Sequence, residues 1–169
     1  GGWLHLILNM WTLWIFGPAV EDRLGSGRFT LFYLFCGVAA GLAHALANPH
    51  SVVPALGASG AIAGVIGCYA RMFPAARLVV IVPILVIPLL FEISALGFAM
   101  IWFVMQLILG LMSLGDTATG GVAWWAHIGG FVSGWLASPI LRRPAVTYRN
   151  YYRDEGIYGF LPDGRRKGK

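Results

Sequence analysis

The chain has 169 residues, of which 58% are hydrophobic and 11% charged, and its mean hydropathy is +0.74. This composition excludes an ordinary soluble domain, because apolar runs of about 20 residues, the length that crosses a bilayer, recur along the chain. The net charge is +5. We expect the main partner of these runs to be the lipid bilayer, and we expect no nucleic acid.

The first residues and the two cysteines give further predictions about the extent of the chain and about metal binding. The chain starts on Gly1-Gly2 with an apolar run directly behind, which indicates a piece of a longer protein. Cys36 and Cys68 lie inside apolar runs and lack the spacing of metal ligands. We therefore expect buried free thiols, no metal site and no cofactor.

The first predicted span covers about residues 3–20 and carries two polar side chains, His5 and Asn9. They are four residues apart, so they share one face of a helix. Polar side chains are costly in hydrocarbon and usually face a site inside the protein. A hydrogen-bonded pair that joins two helices is the alternative.

The second and third predicted spans cover about residues 29–47 and 56–73, and the third contains a stripe of glycines. Their spacing puts Gly57, Gly60 and Gly64 on one helical face, where a neighbouring helix can approach closely. At the start of this helix the chain has a serine, Ser59. Unpaired N–H groups and a partial positive charge suit an alkoxide or oxyanion there. Small-residue packing without chemistry is the alternative explanation of the stripe.

The distribution of basic residues predicts the topology. All 12 lysines and arginines lie in residues 21–28, 71–77 and 142–169, and none lies in the loops at 48–56 and 115–121. The positive-inside rule then makes the three basic segments cytoplasmic and the two loops non-cytoplasmic. The last basic segment lacks an apolar period, so we expect it to be a largely unfolded tail near anionic headgroups.

This topology leaves room for a single crossing between Arg77 and the loop at 115–121. We assign that crossing to about residues 95–114. Residues 78–91 are predicted to lie at the interface or to insert only partly. They contain Pro83 and Pro88, and each proline removes a backbone donor that lipid cannot replace.

The last predicted span, about residues 121–141, contains His127, Gly130 and Gly134. If these glycines face the stripe on the third span, the two backbones touch and Ser59 comes within reach of His127. An imidazole in an apolar pocket can take the serine proton and so activate the hydroxyl as a nucleophile. Because no carboxylate is predicted at the same depth, we expect a Ser–His dyad.

Donors for the oxyanion of a tetrahedral intermediate are predicted at the same depth, near the non-cytoplasmic side. They are the N–H groups at the start of the third helix, the imidazole of His5 and the amide of Asn9. A channel or transporter would need polar residues spread through the bilayer, whereas here they cluster near one end.

Four short motifs occur together in the chain and carry a family resemblance. They are His5-x-x-x-Asn9, Glu21-x-Arg23, Gly57-x-Ser59-Gly60 and Ala126-His127-x-x-Gly130. In this order they resemble the rhomboid family of intramembrane serine proteases. The resemblance implies an all-α, polytopic helical bundle, with about five transmembrane helices of a six-helix core present. The first helix and the first loop would lie upstream.

By this resemblance, residues 1–141 form the protease core and residues 142–169 a basic cytoplasmic tail. Ser59 would be the nucleophile, His127 the base, and His5, Asn9 and the Ser59 backbone N–H the oxyanion hole. The implied partners are transmembrane substrates, cut near their non-cytoplasmic end. The implied location is the bacterial cytoplasmic membrane. The oligomeric state stays open.

One residue departs from the family pattern. Some members place a tyrosine one turn after the serine, packed against the histidine, and this chain has Ala63 there. Another group must then orient the His127 ring. A non-catalytic relative that binds membrane clients for quality control is the alternative function. Such relatives lose the serine or the histidine, and both are present here.

The topology is tested by labelling single cysteines. Ser51→Cys and Thr117→Cys, each in a background without Cys36 and Cys68, should both react with an impermeant reagent from outside the cell. Both positions lie in the loops that lack basic residues. Labelling at position 51 with protection at position 117 would place His127 near the cytoplasm and contradict the predicted pairing.

Overall fold

The computed structural model describes residues 2–49, 57–84, 87–113 and 123–141. These residues form five helices and one β-hairpin: α1 Trp3–Leu24, α2 Ser26–Ala47, α3 Ser59–Met72, β1 Arg77–Ile84, β2 Ile87–Ser94, α4 Ala95–Met112 and α5 Trp124–Leu141. Most of both predicted non-cytoplasmic loops and the whole predicted tail at 142–169 lie outside the described residues.

The predicted helical membrane bundle is confirmed. Three of the described helices, α1, α2 and α4, are long and apolar enough to cross a bilayer. Helix α3 has only 14 residues, about 21 Å of helix, which is shorter than a bilayer crossing needs. It lies inside the bundle, where every residue from Gly60 to Cys68 is buried. The protein is therefore a multi-pass integral membrane protein built around a short central helix.

Two glycines with positive φ account for the helix boundaries that differ from the sequence prediction. Gly25 has φ +84° and is the single residue between α1 and α2, so the predicted polar turn is largely helical. Gly57 has φ +128°, which an α-helix cannot contain. Helix α3 therefore begins at Ser59 and not at residue 56. A side chain at either glycine would be strained.

Helices α3 and α5 approach so closely that their backbones touch. A Cβ atom built on Gly130 would collide with the backbone of Gly60, and one built on Gly134 would collide with the backbone of Gly64. The structure thus brings these two glycine pairs face to face. Gly57 lies outside this contact, because it precedes α3 and neighbours His5.

Below this contact, toward the C-terminal end of α3, larger apolar side chains fill the core. Val20 and Leu24 of α1 pack with Phe32 of α2 and Val65 of α3, and all four are fully or almost fully buried. The two cysteines, Cys36 and Cys68, are free thiols in the same cluster.

Residues 77–84 and 87–94, which include most of the segment predicted to be interfacial or partly inserted, form an antiparallel strand pair. Arg77 pairs with Ser94 at its base. The Ala95 N–H donates to the Ala76 carbonyl at 2.7 Å, so α4 starts where α3 and its following turn end. The segment therefore makes no net crossing. Strand pairing satisfies the backbone groups that face the partner strand, but the outer edges of a two-stranded pair would remain open in lipid, which also argues against a crossing here.

The glycine contact generates a test with a matched control. Gly134→Ala should destabilise the protein by about 1–3 kcal/mol, because the added methyl group must push α5 away from the Gly64 backbone. Gly41→Ala makes the same change in α2, where nothing lies within 4 Å of the new Cβ. It should keep or raise stability. Thermal unfolding midpoints in detergent measure both, and equal midpoints would contradict the contact.

Candidate functional site

Ser59 is the first residue of α3, and its position follows from the turn before it. Ala58 is the N-cap, and its carbonyl accepts the first helical hydrogen bond from the Ile62 N–H at 3.0 Å. The alanine side chain has no oxygen with which to cap the helix. The N–H groups of the first turn therefore remain directed out of the helix end, next to the Ser59 hydroxyl.

His127 lies in the first turn of α5 and meets this serine. Its Nε2 is 2.8 Å from Oγ of Ser59. The contact depends on the glycines beneath it, because a Cβ built on Gly130 would collide with the backbone of Gly60 and hold the two helices apart. The predicted pair thus comes within hydrogen-bond distance across the closest part of the helix contact.

A third side chain, Gln106 of α4, completes a chain of hydrogen-bonding groups. Its Oε1 lies 2.8 Å from Nδ1 of His127, and the residue is only 2% exposed. The Trp102 ring, one helical turn before Gln106, lies 5.9 Å from the imidazole between ring centroids. Gln106 is not among the residues predicted from the sequence, although an amide in a strongly apolar span is by itself a signal of a buried site.

The position of Ala63 explains why α4 supplies this contact. Ala63 lies one turn after Ser59 on α3, is 1% exposed, and offers only a methyl group to its surroundings. In the absence of a tyrosine at this position, the groups next to the His127 ring come from another helix, α4. Gln106 and Trp102, four residues apart on one face of α4, both face the imidazole.

His5 and Asn9 of α1 lie on the same side of the site. A Cβ built on Gly57 would lie 3.0 Å from Nε2 of His5 and 3.9 Å from Oγ of Ser59, so the His5 imidazole is a neighbour of the serine. Asn9 Nδ2 donates to the carbonyl of His5 at 2.8 Å. An amide nitrogen carries two hydrogens, so one donor of Asn9 remains for another acceptor.

A cavity of about 470 Å³ lies next to the serine. Asn9, Ser59 and His127 line its polar part, and apolar side chains such as Phe16 and Trp102 line the rest. Residues 77–80 of β1 form one of its walls. This volume is in the range of small-molecule and peptide side-chain sites. The cavity can therefore admit a segment of chain next to the serine.

Comparison with known proteins agrees with this architecture. The family model described as the Rhomboid domain matches residues 1–144. Rhomboid protein 1, mitochondrial, of Saccharomyces cerevisiae is 34% identical over 142 residues, which is 78% of this chain and 36% of the yeast protein. No solved structure matches the chain.

Two bacterial relatives match shorter segments. Rhomboid protease GluP of Bacillus subtilis is 46% identical over 66 residues, which is 39% of this chain and 12% of that protein. The putative rhomboid protease YdcA of the same organism is 38% identical over 71 residues, which is 42% of this chain and 35% of that protein. The matched part of the chain thus covers at most 36% of the length of any of these three relatives.

Proposed function

The chain belongs to the rhomboid family, and from this membership we propose that it is the core of an intramembrane serine endopeptidase. The observation that carries the proposal is the 2.8 Å separation between Nε2 of His127 and Oγ of Ser59 inside the bundle. A neutral imidazole at this distance can accept the hydroxyl proton as the oxygen attacks a carbonyl. Its substrates would be transmembrane segments of other proteins.

In this mechanism, Ser59 Oγ attacks the scissile carbonyl while Nε2 of His127 takes the proton of the serine hydroxyl. His127 later donates this proton to the leaving amine. The carbonyl oxygen becomes an oxyanion. The Ser59 backbone N–H at the free end of α3 would donate to it, together with the His5 imidazole and the Asn9 amide. The dyad needs no metal and no cofactor.

The domain boundaries and the location are part of the same proposal. The protease core would be residues 1–141, which the family match to residues 1–144 supports, and residues 142–169 would be a basic cytoplasmic tail. The location would be the bacterial cytoplasmic membrane, in line with the two Bacillus relatives. Relatives named as mitochondrial and chloroplastic make an organelle membrane the alternative.

The site would face the non-cytoplasmic side and cut substrates near that end. Helix-weakening residues in a substrate would let it unwind into the cavity. A non-catalytic protein that binds membrane clients would need neither Ser59 nor His127, so the presence and contact of both residues favour the enzyme.

Replacement of the nucleophile tests the proposal directly. Ser59→Ala should lower cleavage of a reporter transmembrane substrate by at least about 10³-fold and abolish labelling by a fluorophosphonate probe. Its thermal midpoint should stay close to that of the wild type, because one hydrogen bond contributes only about 1 kcal/mol.

Ser133→Ala is the matched control for this test. Ser133 is also an intramembrane serine, but its hydroxyl donates to the carbonyl of Gly130 on its own helix at 2.8 Å. It should keep both cleavage and labelling. Binding of transmembrane segments without any cleavage, by wild type and Ser59→Ala alike, would instead support the client-binding alternative.

The oxyanion role is tested by Asn9→Leu, which keeps the approximate volume and removes the donor. We expect kcat to fall by about 10²- to 10³-fold with little change in KM, because the lost bond forms only as negative charge develops. The control is Thr30→Val. Thr30 donates to the backbone of its own helix, four residues back, at 3.0 Å, as Asn9 does, but lies exposed on α2. Equal kinetics of both variants would refute the role.

A further inference from the structure

We infer that Gln106 is a positioning residue, which fixes His127 in the tautomer and ring orientation required to accept the Ser59 proton. The inference rests on the proposed function and adds a third member to its machinery. Gln106 acts through His127: its amide oxygen is bonded to Nδ1 of the imidazole, and Nε2 of the same ring contacts Ser59.

The chemistry of the amide oxygen determines the tautomer. In the observed orientation of the amide, Oε1 of Gln106 faces Nδ1 of His127 at 2.8 Å. Because this oxygen can only accept a hydrogen bond, Nδ1 carries the proton and donates it. A neutral imidazole has one N–H, so Nε2 is then the acceptor and faces the Ser59 hydroxyl at 2.8 Å. The other tautomer would require the Gln106 amide to turn over and present its NH2 group to Nδ1, and it would turn an N–H toward Ser59.

The burial of Gln106 increases the preference of His127 for one tautomer. Gln106 is 2% exposed, so water cannot readily take over the role of the amide oxygen. A buried polar hydrogen without an acceptor is unfavourable, and the protein therefore favours the tautomer that is bonded at both nitrogens. The same reasoning explains why a triad enzyme loses activity when the group that fixes its histidine is changed to one that favours the wrong tautomer.

The orientation of the ring is fixed from the same helix. Trp102 lies one turn before Gln106 and packs against the imidazole with an angle of 37° between ring planes. On the α3 side the corresponding position is Ala63, which is too small to hold a ring. Helix α4 thus provides both a hydrogen-bond acceptor and an aromatic contact to the base.

Two substitutions at position 106 separate the acceptor from the volume. Gln106→Met keeps the length of the side chain and removes the oxygen, whereas Gln106→Glu keeps an acceptor oxygen in either protonation state. In the full-length protein reconstituted in bilayers, Gln106→Met should lower kcat by about 10²-fold with KM unchanged, as for a displaced catalytic group. Gln106→Glu should keep most of the wild-type kcat.

Two further variants guard against effects on folding. Ile108→Met introduces the same residue at an exposed position of α4 and should keep wild-type kinetics. Gln106→Asn keeps an amide that is one methylene shorter and no longer reaches Nδ1. It should lose kcat as Gln106→Met does, so the test stands even if the methionine variant fails to fold.

The tautomer itself is measured without turnover. In histidine-¹⁵N-labelled Ser59→Ala protein, the nitrogen signals of His127, assigned by their loss in His127→Asn, should report a protonated Nδ1. In the double variant Ser59→Ala, Gln106→Met, the His127 nitrogen signals should shift toward those of a mixture of tautomers. Unchanged nitrogen signals, or a kcat of Gln106→Met close to that of wild type, would overturn the inference. If instead Ser59→Ala alone retained turnover, the proposed function would fail, while the nitrogen signals would still decide the role of Gln106.

Discussion

The backbone contact between α3 and α5 is the constraint on which the rest of the structure depends. Lipid tails are as apolar as the helix surfaces, so helices in a membrane associate through close packing and interhelical hydrogen bonds. Gly130 and Gly134 on α5 lack the side chains that would collide with the backbones of Gly60 and Gly64 on α3 and keep the axes apart. A hydrogen bond tolerates only a few tenths of an ångström. The meeting of Ser59 and His127 therefore requires these bare surfaces.

Polar groups then tie a third helix to this pair. Most of α4 is exposed or only partly buried, and few of its residues pack tightly. Yet Gln106 is buried and bonded to His127, which bonds in turn to Ser59. In a medium without water, an unpaired amide or imidazole is costly, so this connection also specifies the rotation of α4 about its axis. The arrangement that can move a proton thus also pairs the Gln106 oxygen and both ring nitrogens of His127.

The sequence predicted the parts of the site that follow from spacing, and missed the parts that follow from rotation. Three- and four-residue glycine spacing indicated which faces of two helices could touch, and depth along the spans brought His127 near Ser59. Apart from Gln106, helix α4 is apolar around its whole circumference, so no hydrophobic periodicity indicates which face turns inward, and the one polar side chain that does was overlooked. The strands at 77–84 and 87–94 were missed for another reason. Their β-branched residues indicate strands, but bilayer length arguments consider helices first.

The hairpin is what allows the two halves of the site to meet at one end of the bundle. Ser59 starts α3 and His127 lies in the first turn of α5, so their contact requires that the chain return to its starting end after α4. The hairpin turns back and starts α4 beside Ala76, which leaves α4 as the one return crossing. A helix through the same residues would have added a crossing and put His127 at the far end from Ser59. A strand pair that returns the chain where a span could have formed therefore determines at which end of the bundle the base lies, as directly as the glycines determine its distance from Ser59.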